Sequence, residues 1–268
     1  MRRWWYRQSQ KWQIAIVVQP IALIVVIYKF VFIALEIQVW DMNPLLSGLI
    51  AANVFLLGFL ITGVLMDYKE AERLPGDLAA SLHSLFDELA SIYRDTRAPV
   101  ARESIEHLLT LTITLKNWFY KKQNTDTLMT ELSKLNRFLD GLQSAGASGA
   151  VARIKQEQGV IRKTLIRIRT IRGTFFVPSG YAIAEATNIS VIVALWVTKI
   201  AEMWESLFFV GLIAFMTTYM LALIRRLDNP FDYYSKDSGV DEVSLMPLDE
   251  VQRWIEAFKV ENHFNQSQ

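Results

Sequence analysis

Four stretches of the chain are almost continuously apolar, and its charges lie between them. The first runs from about Ile14 to Leu35, the second from Leu45 to Met66, the third from Tyr181 to Ile200 and the fourth from Leu207 to Ile224. Each is close to the length a helix needs to cross a bilayer. The first carries Pro20, which membrane helices tolerate, and Lys29 near one end. Two readings of Lys29 stand side by side. Its stem snorkels so that the ammonium meets the headgroups, or its charge lines an outer ion vestibule. The first stretch is too long for a signal peptide, and no small-residue cleavage site follows it.

Between the second and third stretches the pattern changes to that of amphipathic helices. Asp77, just after Pro75-Gly76, is placed as the N-cap of a helix with Leu78, Leu82, Leu85, Leu89 and Ile92 on one face. Pro99 marks a boundary, and a second helix from about Val100 to Lys122 carries Ile105, Leu108, Leu109, Leu115 and Phe119. Leu128, Leu132, Leu135, Leu139 and Leu142 form a narrow leucine seam on a third. The run Ser144–Ala150 breaks it, and a fourth helix from about Val151 to Phe175 turns Ile154, Ile161, Leu165 and Ile168 inward. Such faces bury against one another in a bundle. The fourth helix is basic: Arg153, Lys155, Arg162, Lys163, Arg167, Arg169 and Arg172 oppose only Glu157. A solvated face or contact with anionic headgroups accounts for this more simply than a vestibule that gathers anions.

Charge then sets the topology. The linkers Glu36–Pro44 and Ala201–Ser206 are short and mostly acidic. The start of the chain (Arg2, Arg3, Arg7, Lys11) and the end of the fourth stretch (Arg225, Arg226) are basic. The positive-inside rule places both termini and the whole 67–179 segment in the cytosol. Trp4, Trp5, Trp12, Trp40 and Trp204 fall where interfacial belts belong. The 268 residues carry a net charge of only +1, which points away from a nucleic-acid partner. The absence of cysteine excludes disulfides and thiol chemistry. There is no phosphate-binding loop, dinucleotide fingerprint, zinc-protease motif or nucleophile elbow, so no enzyme and no cofactor is expected. His107 near Glu103 and Glu106 is a weak metal pattern, equally suited to a surface ion pair, and no metal site is assigned.

One feature of the second stretch bears on function. Ala51, Phe55 and Phe59 recur every four residues and share one helical face. Spacing by itself fits a packing or lipid-facing stripe better than a hydrophobic constriction, since most apolar faces in membranes only pack.

Two segments resemble the bestrophin family of ion channels and its bacterial relatives. FLLGFLITGVLMDYKEAERLPGDLAASL (55–82) is similar to the family's second membrane helix and its charged continuation. LDNPFDYYSKDSGVDEVSLMPLDEVQRWIEAF (227–258) resembles its post-membrane segment through Asn229-Pro230-Phe231, Met246-Pro247-Leu248-Asp249 and Trp254-Ile255-Glu256. The resemblance implies an all-α chain. It has two transmembrane helices in 1–66, a cytosolic helical bundle in 67–179, two more membrane helices in 180–226 and a cytosolic segment in 227–268. It implies a homopentamer in the inner membrane whose central pore conducts monovalent ions, chloride among them, with Ala51, Phe55 and Phe59 lining the neck. With the family in hand, pore lining becomes the better reading of the stripe. Two departures are visible. Ala51 is small where the family often carries Ile. Asp232 to Asp237 lacks the dense acidic run of calcium-gated members, which implies a channel independent of calcium. Tyr68 and Glu72 stand in a more Trp- and Arg-rich family pattern, as in a divergent branch. The rival expectation is a membrane-anchored scaffold without a pore, whose leucine seam 128–142 binds a partner helix.

Overall fold

The computed structural model describes residues 12–173, 178–200, 202–233 and 242–264. Arg2, Arg3, Trp4, Trp5, Arg7 and Lys11, the end of the fourth bundle helix at Phe175, Ala201 and the stretch Tyr234–Asp237 lie outside them. Almost all described residues are helical: α1 (Gln13–Ala34), α2 (Pro44–Thr96), α3 (Pro99–Phe119), α4 (Thr125–Lys134), α5 (Asn136–Ser144), α6 (Ser148–Gly173), α7 (Pro178–Val197), α8 (Met203–Leu227) and α9 (Met246–Glu261). Among the described residues four apolar stretches are long enough to cross a membrane, in α1, the first part of α2, α7 and α8. The chain divides into two units. One comprises residues up to Tyr68 with Thr174–Pro230, and the other comprises Lys69–Gly173 with the C-terminal segment from Phe231.

In the first unit the buried positions repeat at helical spacing: Val18, Ala22, Val25 and Lys29 on α1, and Ser206, Val210, Ala214, Thr217, Leu221 and Ile224 on α8. These two helices pack closely, and the approach depends on Gly211. A Cβ there would come within 2.7 Å of Val26 Cγ2. Small residues at such crossings let membrane helices approach where lipid supplies no hydrophobic drive. The short linkers after α1 and α7 meet in a parallel pairing of Trp40–Asp41 with Thr198–Lys199.

Lys29 sits in this corner and does not snorkel, nor does it line a vestibule. It is fully buried, and its Nζ donates to the carbonyls of Leu195 at 2.9 Å and Thr198 at 2.5 Å, with that of Trp196 at 3.4 Å. The last carbonyls of a helix have no intrahelical partner and carry partial negative charge. The ammonium supplies donors to carbonyls closing α7, which outweighs the reach to headgroups. Trp196 locks the same corner from α7, its Nε1 donating to the Val25 carbonyl at 3.1 Å.

In the second unit the core is one hydrophobic cluster, aliphatic and aromatic, drawn from residues between Ala71 and Phe264. Three expectations change there. Pro75-Gly76 does not start a helix: α2 runs through Pro75, and Asp77 accepts from Arg73 Nε at 3.2 Å instead of capping. A proline inside a helix costs about 3 kcal/mol, but Ala71, Leu74, Leu78 and Leu82 form one buried face only if the helix is unbroken. The leucine seam spans two helices, α4 and α5, with Leu135 between them. All five of its leucines are buried within this unit, which leaves the seam no face for a partner helix. The α5 crossing again uses a glycine, since a Cβ on Gly141 would meet Val100 Cγ2 at 2.9 Å. At the C-terminal end, Phe231 of the Asn-Pro-Phe turn is buried with its ring 5.8 Å from that of Phe119. Tyr233 Oη donates to the Val243 carbonyl at 2.7 Å. The amphipathic helix α9 buries Leu248, Val251, Ile255 and Phe258.

Candidate functional site

The candidate face is built on the first turns of α2. Asn43 Oδ1 accepts the Leu46 N–H at 2.9 Å, and Pro44 occupies the first helical position, where a missing N–H costs nothing. From this start the helix has two unlike sides. Asn53, Leu57, Leu60 and Val64 are buried, and the three aliphatic ones cluster with Ala184, Leu221 and Ile224. Ala51, Phe55 and Phe59 lie on the other side. Phe55 is 77% exposed and Phe59 66%, and Met66, at 70%, extends the same face. Gly58, between the two rings, has no neighbouring atom within 4 Å of where a Cβ would stand. The three residues expected to act together are therefore brought to one face that the rest of the unit leaves uncovered.

The buried side holds a polar contact that periodicity does not announce. Asn53 Oδ1 lies 3.0 Å from Thr187 Oγ1, which also reaches the Ile183 carbonyl at 2.9 Å. A lone Asn in an apolar run was the available signal, since buried amides find partners. Behind Phe55, this contact ties α2 to α7.

The basic helix α6 keeps the solvated face that its sequence suggests, with Arg153, Lys155, Lys163, Arg167 and Arg169 exposed, and two of its arginines find partners on α2. Arg167 grips Glu70 through Nε at 2.7 Å and Nη2 at 2.5 Å, and Arg153 grips Glu88 through Nε and through Nη2 at 2.7 Å. Glu70 and Glu88 are 18 residues apart, five whole turns at 3.6 residues each, so α2 presents both carboxylates on one side. Their partners lie 97 and 65 residues away in the chain, beyond any local pattern. The Arg167 hydrogen bond and charge hold the Glu70 carboxyl below the ordinary carboxylate range. His107 joins neither Glu103 nor Glu106. Its Nε2 lies 2.9 Å from the Glu131 carbonyl, and among the described residues no three His, Asp or Glu stand together as a metal site.

No protein-family model matches the chain, and no curated protein matches its sequence. Solved structures do match its fold. A single-substitution variant of a bacterial Bestrophin homolog from Klebsiella pneumoniae superposes with a TM-score of 0.69 at 14% identity, covering 92% of this chain and 98% of that one. A second variant of that homolog gives 0.72 at 14%, covering 91% and 97%. A structure described as a membrane protein gives 0.73 at 13%, covering 91% and 97%. The likeness runs over nearly the whole of each chain, so this is a bestrophin-like fold.

Proposed function

From that fold, we propose that the protein is an ion channel of the inner membrane, with both termini and the helical bundle in the cytosol. Five copies surround a central pore whose neck is lined by Ala51, Phe55 and Phe59. The observation that carries this reading is the uncovered aromatic face of α2. A helix packed on one side and bare on the other places two phenyl rings where fivefold symmetry would make two apolar rings. Such rings hold monovalent ions back because passage strips hydration, and a small helix rotation relieves the barrier. Ala51, being small, leaves the third turn wider, so the neck has two tight rings and one loose one. The scaffold reading loses its specific support, because the leucine seam is already buried within its own unit.

Current across a planar bilayer under asymmetric potassium chloride tests the proposal. Discrete currents are expected, and the sign of the reversal potential distinguishes anion from cation conduction. Phe55→Ala combined with Phe59→Ala is expected to raise the open probability several-fold. An active channel whose conductance and gating ignore the double substitution would overturn the gate assignment.

A further inference from the structure

The core of the first unit is divided. One apolar cluster gathers Leu57, Ala184 and Leu221, and another gathers Val191, Val210 and Ala214, with Ile50 packed against it. Between the two, each of three helices buries a polar residue. Asn53 stands on α2 between Ile50 and Leu57, Asn188 on α7 between Ala184 and Val191, and Thr217 on α8 between Ala214 and Leu221. The three therefore share one level of the unit, and Phe55 lies within a helical turn of it.

Thr217 is satisfied by its own helix, its Oγ1 donating to the Ile213 carbonyl at 2.9 Å. The two asparagines are not. Asn53 Nδ2 and Asn188 Oδ1 are buried and meet no partner among the described residues. One is a donor and the other an acceptor. Asn53 touches α7 at Thr187, next to Asn188 in the chain, with Oδ1 at 3.0 Å from the hydroxyl oxygen. That hold is weak. A hydroxyl has one proton to give, and Thr187 Oγ1 also lies 2.9 Å from the Ile183 carbonyl and 3.1 Å from that of Ala184. Three acceptors compete for that proton. An unmet amide in an apolar interior is costly, and Asn188, only about 100° further round α7, offers what the Asn53 amide lacks.

We propose that Asn53 is a latch with two settings, one on Thr187 and one on Asn188, and that exchange between them turns α2 against α7. In the structure Asn53 takes the first. In the second, Asn53 Nδ2 donates to Asn188 Oδ1, both unmet groups are satisfied together, and Thr187 keeps its bond to the Ile183 carbonyl. What the first setting retains is the packing of Leu57 against Ala184 and Leu221, which a turn of α2 disturbs. Opposed terms of this kind make an element bistable. Asn53 and Phe55 are about 200° apart on one rigid helix, so moving the amide across α7 swings the phenyl ring on the far side. The effect on ion flow rests on α2 lining a pore; the exchange of partners does not.

The test uses the full-length protein in lipid vesicles and reads distances before currents. The chain has no cysteine, so Met66→Cys on α2 and Val193→Cys on α7, both at exposed positions, accept a pair of spin labels. Labelled chains are diluted into unlabelled ones, so that only pairs within one chain are read. Electron–electron double resonance is expected to give two distances. Thr187→Val is expected to shift their ratio about fivefold toward one, the size of one net hydrogen bond, and Asn188→Leu by a similar factor toward the other. Thr187→Ser keeps the hydroxyl and is expected to change the ratio less than about twofold. On an Asn53→Leu background neither apolar substitution is expected to act. A variant that does not fold is replaced by Thr187→Ala or Asn188→Ala, which removes the same group. Shifts in the same direction, shifts that persist without Asn53, or one distance in every variant overturn the proposal; the last is what a fixed bridge between the two amides, such as a bound water, predicts. Planar-bilayer currents of the same variants separate the latch from the pore. Open probability that follows the distance ratio joins the two, whereas opposite distance shifts with indifferent or absent currents keep the latch and refute the pore.

Discussion

The two units of this chain are built inside out relative to each other. In the first, large apolar side chains such as Ile16, Leu23, Ile24, Phe30, Phe55, Ile189 and Phe208 are exposed, while a lysine, two asparagines, a serine and threonines are buried. In the second, Leu78, Leu82, Leu108, Phe119 and Leu165 are buried, and the long charged residues Glu70, Arg153, Arg167 and Arg169 lie outside. The contrast follows from the solvent each unit is made for. Water drives apolar groups inward. Hydrocarbon gives no such drive but penalises an unmet polar group by several kcal/mol, so polar side chains turn to the interior and find carbonyls there. Both units nonetheless close one tight crossing with a glycine, Gly211 in one and Gly141 in the other, because steric contact does not depend on solvent.

The sharpest way to break the comparison is to place the same charge on both exteriors. Ile24→Lys, at a 52% exposed position in mid-α1, is expected to cost about 3 kcal/mol in a helix-insertion assay. Val160→Lys, at a 42% exposed position on α6, is expected to stay within about 0.5 kcal/mol by thermal unfolding in detergent. Similar costs at both sites would refute the inside-out reading.

The interior of the first unit is probed by Lys29→Met, which keeps the bulk and removes the ammonium. Loss of a donor shared by carbonyls at the end of α7 is expected to cost about 1–3 kcal/mol, read as a lowered unfolding midpoint. An unchanged midpoint would mean that those carbonyls are satisfied without it.

The smallest effect belongs to the exterior of the second unit. Glu70 titrates below its unfolded value because Arg167 stabilises the carboxylate. Its contribution is present in full above the unfolded pKa and is lost as pH falls through the lower folded one. Both side chains are more than a third exposed, at 42% for Glu70 and 45% for Arg167, so solvent screening keeps the pair below about 1 kcal/mol. Unfolding midpoints of wild type and Glu70→Gln, followed from pH 7 downward, should therefore converge as the medium acidifies. A gap that widens on acidification would contradict the pairing.

What the sequence determined by itself is whatever a helix repeats. Four apolar runs gave four long apolar helices. The four-residue spacing of Ala51, Phe55 and Phe59 placed them on one face, and the Leu78 to Ile92 pattern named a buried stripe. These are local consequences of 3.6 residues per turn. What only the tertiary structure decided involves partners far apart in the chain. Lys29 finds a carbonyl 166 residues away, and the basic helix finds its carboxylates on α2. Pro75 stays helical because faces on both sides of it are buried together, and the leucine seam divides at Leu135 without losing its burial. Each outcome depends on which element packs against which, and periodicity along one helix carries no record of its neighbour.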